Sequence, residues 1–201
     1  MKYLTWVDLE TTGLDPEVDD ILEIGMVLTD QNYTILAEES VVISIGIDRL
    51  KYQFQRCEEV VCDMHIYNGL WHEVSEAEDD INVVMSKLYG MMQLWYPNGE
   101  KPAMCGNSLT HDRIFLRKYM PALDGLFHYR NYDMSSVREF MRDQFPETEA
   151  HEPARNSSNG KHRVIEDIYD SIALAKYYSR CIYLDPSIEY GIPHAEPGWV
   201  Y

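Results

Sequence analysis

The sequence predicts an α/β layered fold, a sheet with helices packed on both of its faces, and three observations lead there. The N-terminal 45 residues hold three short segments rich in branched and aromatic residues. Two later segments carry apolar residues at helical spacing. Between them, strand-like and helix-like stretches alternate without an internal repeat or a domain linker.

Residues 3–9 (Tyr-Leu-Thr-Trp-Val-Asp-Leu) read as a buried strand, and Thr11-Thr12-Gly13-Leu14-Asp15-Pro16 as the turn that ends it. Ile21 to Thr29 reads as a second strand and Thr34 to Ile45 as a third, joined as a meander near Asp30-Gln31-Asn32. Over residues 76–95 the stripe Ile81, Val84, Met85, Leu88, Met92, Trp95 predicts a helix with one buried face, ended by Pro97-Asn98-Gly99. Pro102 to Cys105 reads as a short strand, Asp112 to Tyr119 as a helix stopped by Pro121, Phe127 to Tyr132 as extended, and Ser135 to Phe145 as a helix. Residues 146–161 form a polar loop. Val164 to Tyr183 is a long helix with apolar residues at Ile165, Ile168, Ile172, Ala175 and Ile182. The expected organisation is one domain over residues 1–183 and a proline-bearing tail over 184–201 without periodicity.

At 201 residues the chain can build one substantial core, and 45% hydrophobic with 25% charged residues is ordinary for a globular protein. No apolar run reaches membrane-spanning length, and Asp8 interrupts the start too early for a signal peptide, so a cytoplasmic location is expected. Cys57, Cys62, Cys105 and Cys181 show no disulfide pattern. Cys57-x4-Cys62-x2-His65 lacks both a fourth ligand and zinc-site spacing. With 17 basic against 34 acidic residues, the net charge is −17. That excludes a broad basic surface for long duplex nucleic acid and favours a ligand with few phosphates.

The candidate site consists of Asp8 and Glu10 at the end of the first strand, Asp112 opening a helix, and Asp167 in the first turn of the last long helix, with His162 on the loop before it. Side chains two apart in a strand share a face, so Asp8 and Glu10 point together. Converging carboxylates raise each other's pKa unless a cation lies between them, and hard divalent ions take oxygen ligands. Two such ions about 4 Å apart can position a water and stabilise a phosphoryl-transfer transition state. A histidine beside them is suited to take the water's proton.

Asp8-x-Glu10, the distant Asp112 and His162-x4-Asp167 resemble the pattern of the DEDDh 3′-to-5′ exonucleases. Three further stretches carry the resemblance to the oligoribonuclease family within that group: Asp8 to Asp15; Met104-Cys105-Gly106-Asn107-Ser108 with Asp112 to Pro121; and Phe127-His128-Tyr129-Arg130 with Asp133 and Ser135. The similarity covers roughly residues 4–183. It implies a ribonuclease-H-like fold with a mixed central sheet, two Mg²⁺ or Mn²⁺ ions held by Asp8, Glu10, Asp112 and Asp167, and His162 as general base. It implies short RNA as substrate, down to a dinucleotide, cut to nucleoside 5′-monophosphates by a homodimer. Leu14 matches a leucine that wedges between bases. Tyr129 and Arg130 match residues that reach the partner's active site and, with Ser135, cap the 5′ phosphate. His65, Asn107 and Ser108 join the substrate-binding set by the same resemblance. Thr11 stands where the family has Met, Val60 where it has an aromatic, and Glu166 where it has Asp. Two rival readings are a DEDDh exonuclease for single-stranded DNA or longer RNA 3′ ends, and a catalytically silent nucleotide-binding module.

Overall fold

A computed structural model describes residues 3–155 and 162–181. Its sheet has five strands in the order β3-β2-β1-β4-β5, with β1 at Leu4–Thr11, β2 at Ile21–Thr29, β3 at Ile35–Val42, β4 at Met104–Gly106 and β5 at Asn131–Asp133. The first three pair antiparallel as the expected meander, whereas β1, β4 and β5 run parallel. The sheet is therefore mixed, and the C-terminal ends of β1, β4 and β5 open on one edge, where ligands of α/β sheets commonly bind.

Helices cover both faces. Alternation along β1 sends Val7 and Leu9 into a core built with α4 (Ile81–Trp95), α5 (Thr110–Tyr119) and α6 (Pro121–Asp124). Trp6, on the opposite face, joins Cys105 and the apolar side of α7 (Met134–Gln144) and α8 (Val164–Cys181). Asp8 and Glu10 share the Trp6 face by parity, so the acids point toward α8. A third cluster seats Leu22 against α3 (Leu70–Glu76).

Two glycines set how closely these layers approach. Gly25 faces α8, and a Cβ there would lie 2.8 Å from Val164 Cγ2. Because Gly25 pairs with Asp8, its bareness lets the start of α8 sit down beside the acid strand. A Cβ on Gly106 would lie 2.7 Å from the Val7 carbonyl.

Several boundaries differ from the periodicity. Residues 76–80 do not extend α4: Asp80 Oδ1 accepts from the Asn82 and Val83 backbone N–H groups at 2.8 and 3.0 Å and so caps the helix at Ile81. The third strand is shorter than Thr34–Ile45, and the extended stretch expected over 127–132 pairs only from Asn131 onward, as Asn131–Asp133. Residues 47–67 form two helices absent from the expected elements, α1 (Ile47–Arg56), with a short stripe of Ile47, Leu50 and Phe54, and α2 (Glu59–Tyr67), with a weak one. The polar loop contains a 3-10 turn at Pro146–His151. Its residues 156–161, the end of the last expected helix at Ile182 and Tyr183, and the tail from 184 lie outside the described residues. No helix among the described residues is long and apolar enough to cross a membrane.

Candidate active site

Asp8, Glu10 and Asp167 converge: one carboxylate oxygen from each lies within 4.8 Å of the others. Strand parity supplies the first two, and the first turn of α8 supplies the third. A register shift between Glu10 and Thr11 falls at the end of this run, the kind of irregularity that re-aims a side chain where pairing stops. Asp112, in the first turn of α5, stands outside that triplet but next to Asp8. The backbone N–H groups of Asp112 itself and of Leu9 favour its charged form.

The electrostatics are those of crowded, partly desolvated acids. Burial raises Asp8 well above the usual carboxylate range, and the charges of Asp112, Glu10, Asp167 and Glu23 push it further. Burial, then Asp167 and Glu23, push Glu10 up to about 8, with Arg163 opposing. Burial also lifts Asp112 to about 7, against its two backbone donors. A hard divalent cation would reverse each of these shifts, and an all-oxygen donor set fits Mg²⁺ or Mn²⁺ better than a softer metal.

His162 projects beside the triplet, its Nδ1 3.7 Å from Asp167 Oδ2 and its side chain 44% exposed. Its backbone is held: the Asn68 side chain donates to the His162 carbonyl at 2.6 Å. The next residue, Arg163, donates to both oxygens of Glu23 at 2.8 and 2.9 Å and to both of Glu73 at 2.9 and 2.8 Å. Glu23 is the cross-strand partner of Glu10. Arg163 thus neutralises a buried carboxylate behind Glu10 and ties the histidine loop to β2 and α3.

His65 needs a correction. It does not face the cleft as a substrate ligand: its side chain is fully buried, with Nε2–H donating to the Thr11 carbonyl at 3.0 Å and its ring edge-on to Trp71. Nδ1 points at Glu10 Oε2 from 4.0 Å. Burial lowers its pKa, so it is a neutral support behind Glu10. The packing of α2 against the Thr11 backbone, which periodicity does not encode, turns it inward.

The other expected residues fall into two groups. Asn107 lines the same cleft as Asp8, Glu10, His162 and Asp167. Ser108 adopts φ 57°, and its N–H and that of Leu109 donate to the two oxygens of Asp133 at 3.0 and 2.9 Å. The same Asp133 caps α7 by accepting from Ser135 N–H at 2.9 Å and Ser135 O–H at 2.7 Å. One carboxylate therefore fixes Ser108–Leu109 and Ser135 together. Leu14 is 80% exposed at the tip of the turn after β1. Tyr129 and Arg130 lie apart: Tyr129 is 72% exposed, the guanidinium sits 5.4 Å over its ring, and neither lines the cleft of its own chain.

Sequence reasoning missed Arg138, Glu152, Arg155 and Asp170, which also line the cleft. Arg138 was within reach, one helical turn after Ser135. Glu152 and Arg155 sit in the polar loop and carry no periodic signal.

A family profile described as Exonuclease (RNase_T) matches residues 5–175. The chain is 36% identical to an oligoribonuclease of Photobacterium profundum over 182 residues, covering 90% of this chain and 96% of that protein. It is 38% identical to an oligoribonuclease of Aliivibrio fischeri over the same shares. Among solved structures it resembles an exonuclease I with a TM-score of 0.68 at 13% identity, over 90% of this chain and 41% of that one. Exonuclease I from Methylocaldum szegediense gives a TM-score of 0.64 at 17% identity, over 89% and 40%. The chain spans well under half of those two structures, and at such identities they speak for the fold alone. The acid triplet, the adjoining Asp112 and histidine, and relatives matched along nearly their whole length lead to one assignment: the chain belongs to the oligoribonuclease family of exonucleases.

Proposed function

We propose that this exonuclease removes nucleotides from the 3′ end of short oligoribonucleotides, dinucleotides above all, releasing nucleoside 5′-monophosphates. The observation that carries the reading is the convergence of Asp8, Glu10 and Asp167 beside Asp112 and His162. Substrate length follows from the charge: a chain of −17 grips few phosphates, and its relatives are named oligoribonucleases.

Asp8, Glu10, Asp167 and Asp112 would hold two divalent ions, which supply charge stabilisation of the phosphorane-like transition state and a more acidic water. His162 takes the proton of the attacking water, and the exposure of its ring lets that proton pass to solvent. Asn68 and Arg163 keep the histidine's backbone where the ring can swing over Asp167. Leu14 presents an apolar edge to the bases. Tyr129 and Arg130 are exposed and absent from their own chain's cleft, which supports a role in the site of a second copy, and the working unit is then a homodimer.

The rival substrate, single-stranded DNA or a longer RNA end, is favoured by Thr11 and by Val60, which is exposed without offering a stacking ring. One time course separates the two. RNAs of two to ten nucleotides and a DNA decamer are incubated with Mg²⁺. The dinucleotide is expected to disappear fastest and the DNA slowest. Equal use of ten-mers or of DNA transfers the assignment to the rival, and no turnover of any substrate leaves a binding module.

A further inference from the structure

We infer that the cavity between Tyr3, Tyr33, Tyr96, Lys101, Arg130 and Tyr132 is a binding site for a nucleoside 5′-monophosphate, separate from the catalytic cleft. The ligand class follows from the lining of the cavity alone and does not depend on the substrate proposed for the cleft.

Tyr3 precedes β1 and Leu4 opens it, Pro102 and Ala103 precede β4, and Arg130 precedes β5. The cavity therefore sits at the N-terminal ends of the parallel strands, roughly 20 Å along β1 from Glu10. No residue lines both this cavity and the cleft. Its volume is about 800 Å³, the size of a small-molecule site.

Four tyrosine rings form the walls, and they are fixed. Tyr96 and Thr5 share a hydrogen bond of 2.7 Å between their hydroxyls, and Tyr3 stands edge-on to Tyr96 at 6.5 Å. Tyr33 and Tyr132 lean on the buried Trp6, with ring centroids 6.3 and 5.9 Å away, and their own hydroxyls are 3.2 Å apart. One of that pair donates to the other, and the acceptor keeps its O–H for a ligand. Tyr33 is held at φ 63°, where a bulky side chain pays a steric cost. Asp30 Oδ1 pins the turn that places it there, accepting from the Asn32 and Thr34 N–H groups at 2.8 Å each.

The rim is cationic although the chain carries −17. Among the described residues Lys101 and Arg130 form no ion pair with a carboxylate, whereas Arg49, Arg56, Arg113, Arg138 and Arg163 all do. The Lys101 ammonium donates to the Gly125 carbonyl at 2.7 Å and keeps two N–H groups. His128 also lines the cavity; its Nδ1 accepts from the Arg130 N–H at 3.1 Å, so Nε2 carries the ring proton as a further donor. Glu100 is the one acid among the lining residues, and the Asn98 side chain donates to its Oε1 at 3.1 Å. Aromatic faces beside cations free of carboxylates suit a planar base joined to a phosphate: the rings stack on the base, and the cations and N–H donors take the anion. The acid-crowded cleft repels a phosphate unless cations intervene, whereas this cavity needs none, and that difference separates the two sites in solution.

Adenosine 5′-monophosphate is titrated calorimetrically into protein kept metal-free with EDTA. One molecule per chain is expected to bind, with adenosine or inorganic phosphate alone about tenfold weaker or worse. Asp8→Asn is expected to bind it as wild type does. Lys101→Glu is expected to weaken binding by about tenfold or more, Gln31→Glu by about threefold, and Tyr3→Leu by about fivefold. Lys101 and Gln31 are exposed, so both charge variants keep their fold and their turnover of a dinucleotide with Mg²⁺. If Tyr3→Leu does not fold, these two decide. Absence of binding to metal-free wild type, loss of binding in Asp8→Asn, or unchanged affinity in Lys101→Glu overturns the inference. So does a dimer that Lys101→Glu dissociates in light scattering with nucleotide affinity intact, which makes the cavity a subunit contact. Turnover plays no part in the titration, so an enzyme idle on dinucleotides refutes the substrate assignment and leaves this site standing.

Discussion

The cleft and the His128–Arg130 turn, which lies apart from it, are built differently. On the β1–α8 side almost every group is tied down. His65 backs Glu10, Glu23 pairs across the strand with Glu10, Arg163 bridges Glu23 and Glu73, and Asn68 holds the backbone of His162. At the His128–Arg130 turn, the chain makes a firm scaffold but sends its side chains outward. Arg113 donates to the His128 carbonyl at 2.8 Å and the Arg130 N–H to His128 Nδ1 at 3.1 Å, while Tyr129 stays exposed. The contrast separates two kinds of preorganisation. Groups that must hold a charge cluster are buried and mutually bonded, because each unpaired buried charge is costly. The exposed groups of the turn, which the proposed reading assigns to substrate, are fixed in backbone and left open in side chain.

The largest effect tests the tied side. Asp8→Asn leaves shape and volume but removes the central negative charge, and turnover is expected to fall by at least ~10³-fold with an unchanged melting temperature or a higher one. Activity within tenfold of wild type removes Asp8 from the machinery. The open side is tested by Tyr129→Ala, expected to cost about 10- to 100-fold in kcat/KM on dinucleotides without loss of fold. Mixing Tyr129→Ala with Asp8→Asn protein sharpens the comparison: if Tyr129 serves the other copy, mixed dimers regain part of the activity, and a mixture as dead as its components places Tyr129 in its own chain's site.

Next comes the packing that brings the two acid-bearing elements together. Gly25→Ala drives a methyl into Val164, and overpacking of this kind costs about 1–3 kcal/mol. Asp167 would move with α8, so activity is expected to fall more than stability; a variant with wild-type turnover shows that α8 can shift without disturbing the acids.

The smallest effect concerns pH. Glu10 at about 8 and Asp112 at about 7 hold protons more tightly folded than unfolded. They therefore stabilise the metal-free protein at pH values below the unfolded carboxylate range, and that stabilisation drains away as pH rises through 7 and 8. Without metal, the melting temperature is expected to drop by roughly 5–10 °C between pH 5 and pH 8.5. Added Mg²⁺ is expected to recover more of it at pH 8.5 than at pH 5, since it competes with protons for the same oxygens. A metal-free melting temperature that is flat across this range contradicts the crowded-acid picture.

Much of this was legible before any coordinates. Strand parity puts Asp8 and Glu10 on one face, and helix period places Asp167 at the start of α8, since both signals are carried by neighbours along the chain. Of the two helices of residues 47–67, α2 was not legible, because its apolar stripe is weak: Val60 and Tyr67 are exposed and the polar His65 is its buried residue. The first, α1, does carry a helical stripe, Ile47, Leu50, Phe54, with Leu50 packed on the third core cluster and Phe54 edge-on to Trp71, short enough to pass for a loop between longer elements. Glu152 and Arg155 were missed for a related reason: a loop has no period to betray which residues turn inward.

The amino-acid order by itself determined which acids exist, which of them share a face, and that the chain carries a net charge of −17, because composition and periodicity are written along the chain. Tertiary structure alone decided that Asp112 stands beside the triplet rather than within it, that His65 turns inward to Thr11, that Arg163 reaches Glu23 across 140 positions of chain, and that Arg138 enters the cleft paired with Glu152. Each of those outcomes depends on the depth at which one element packs on another, and no spacing along the chain encodes that depth.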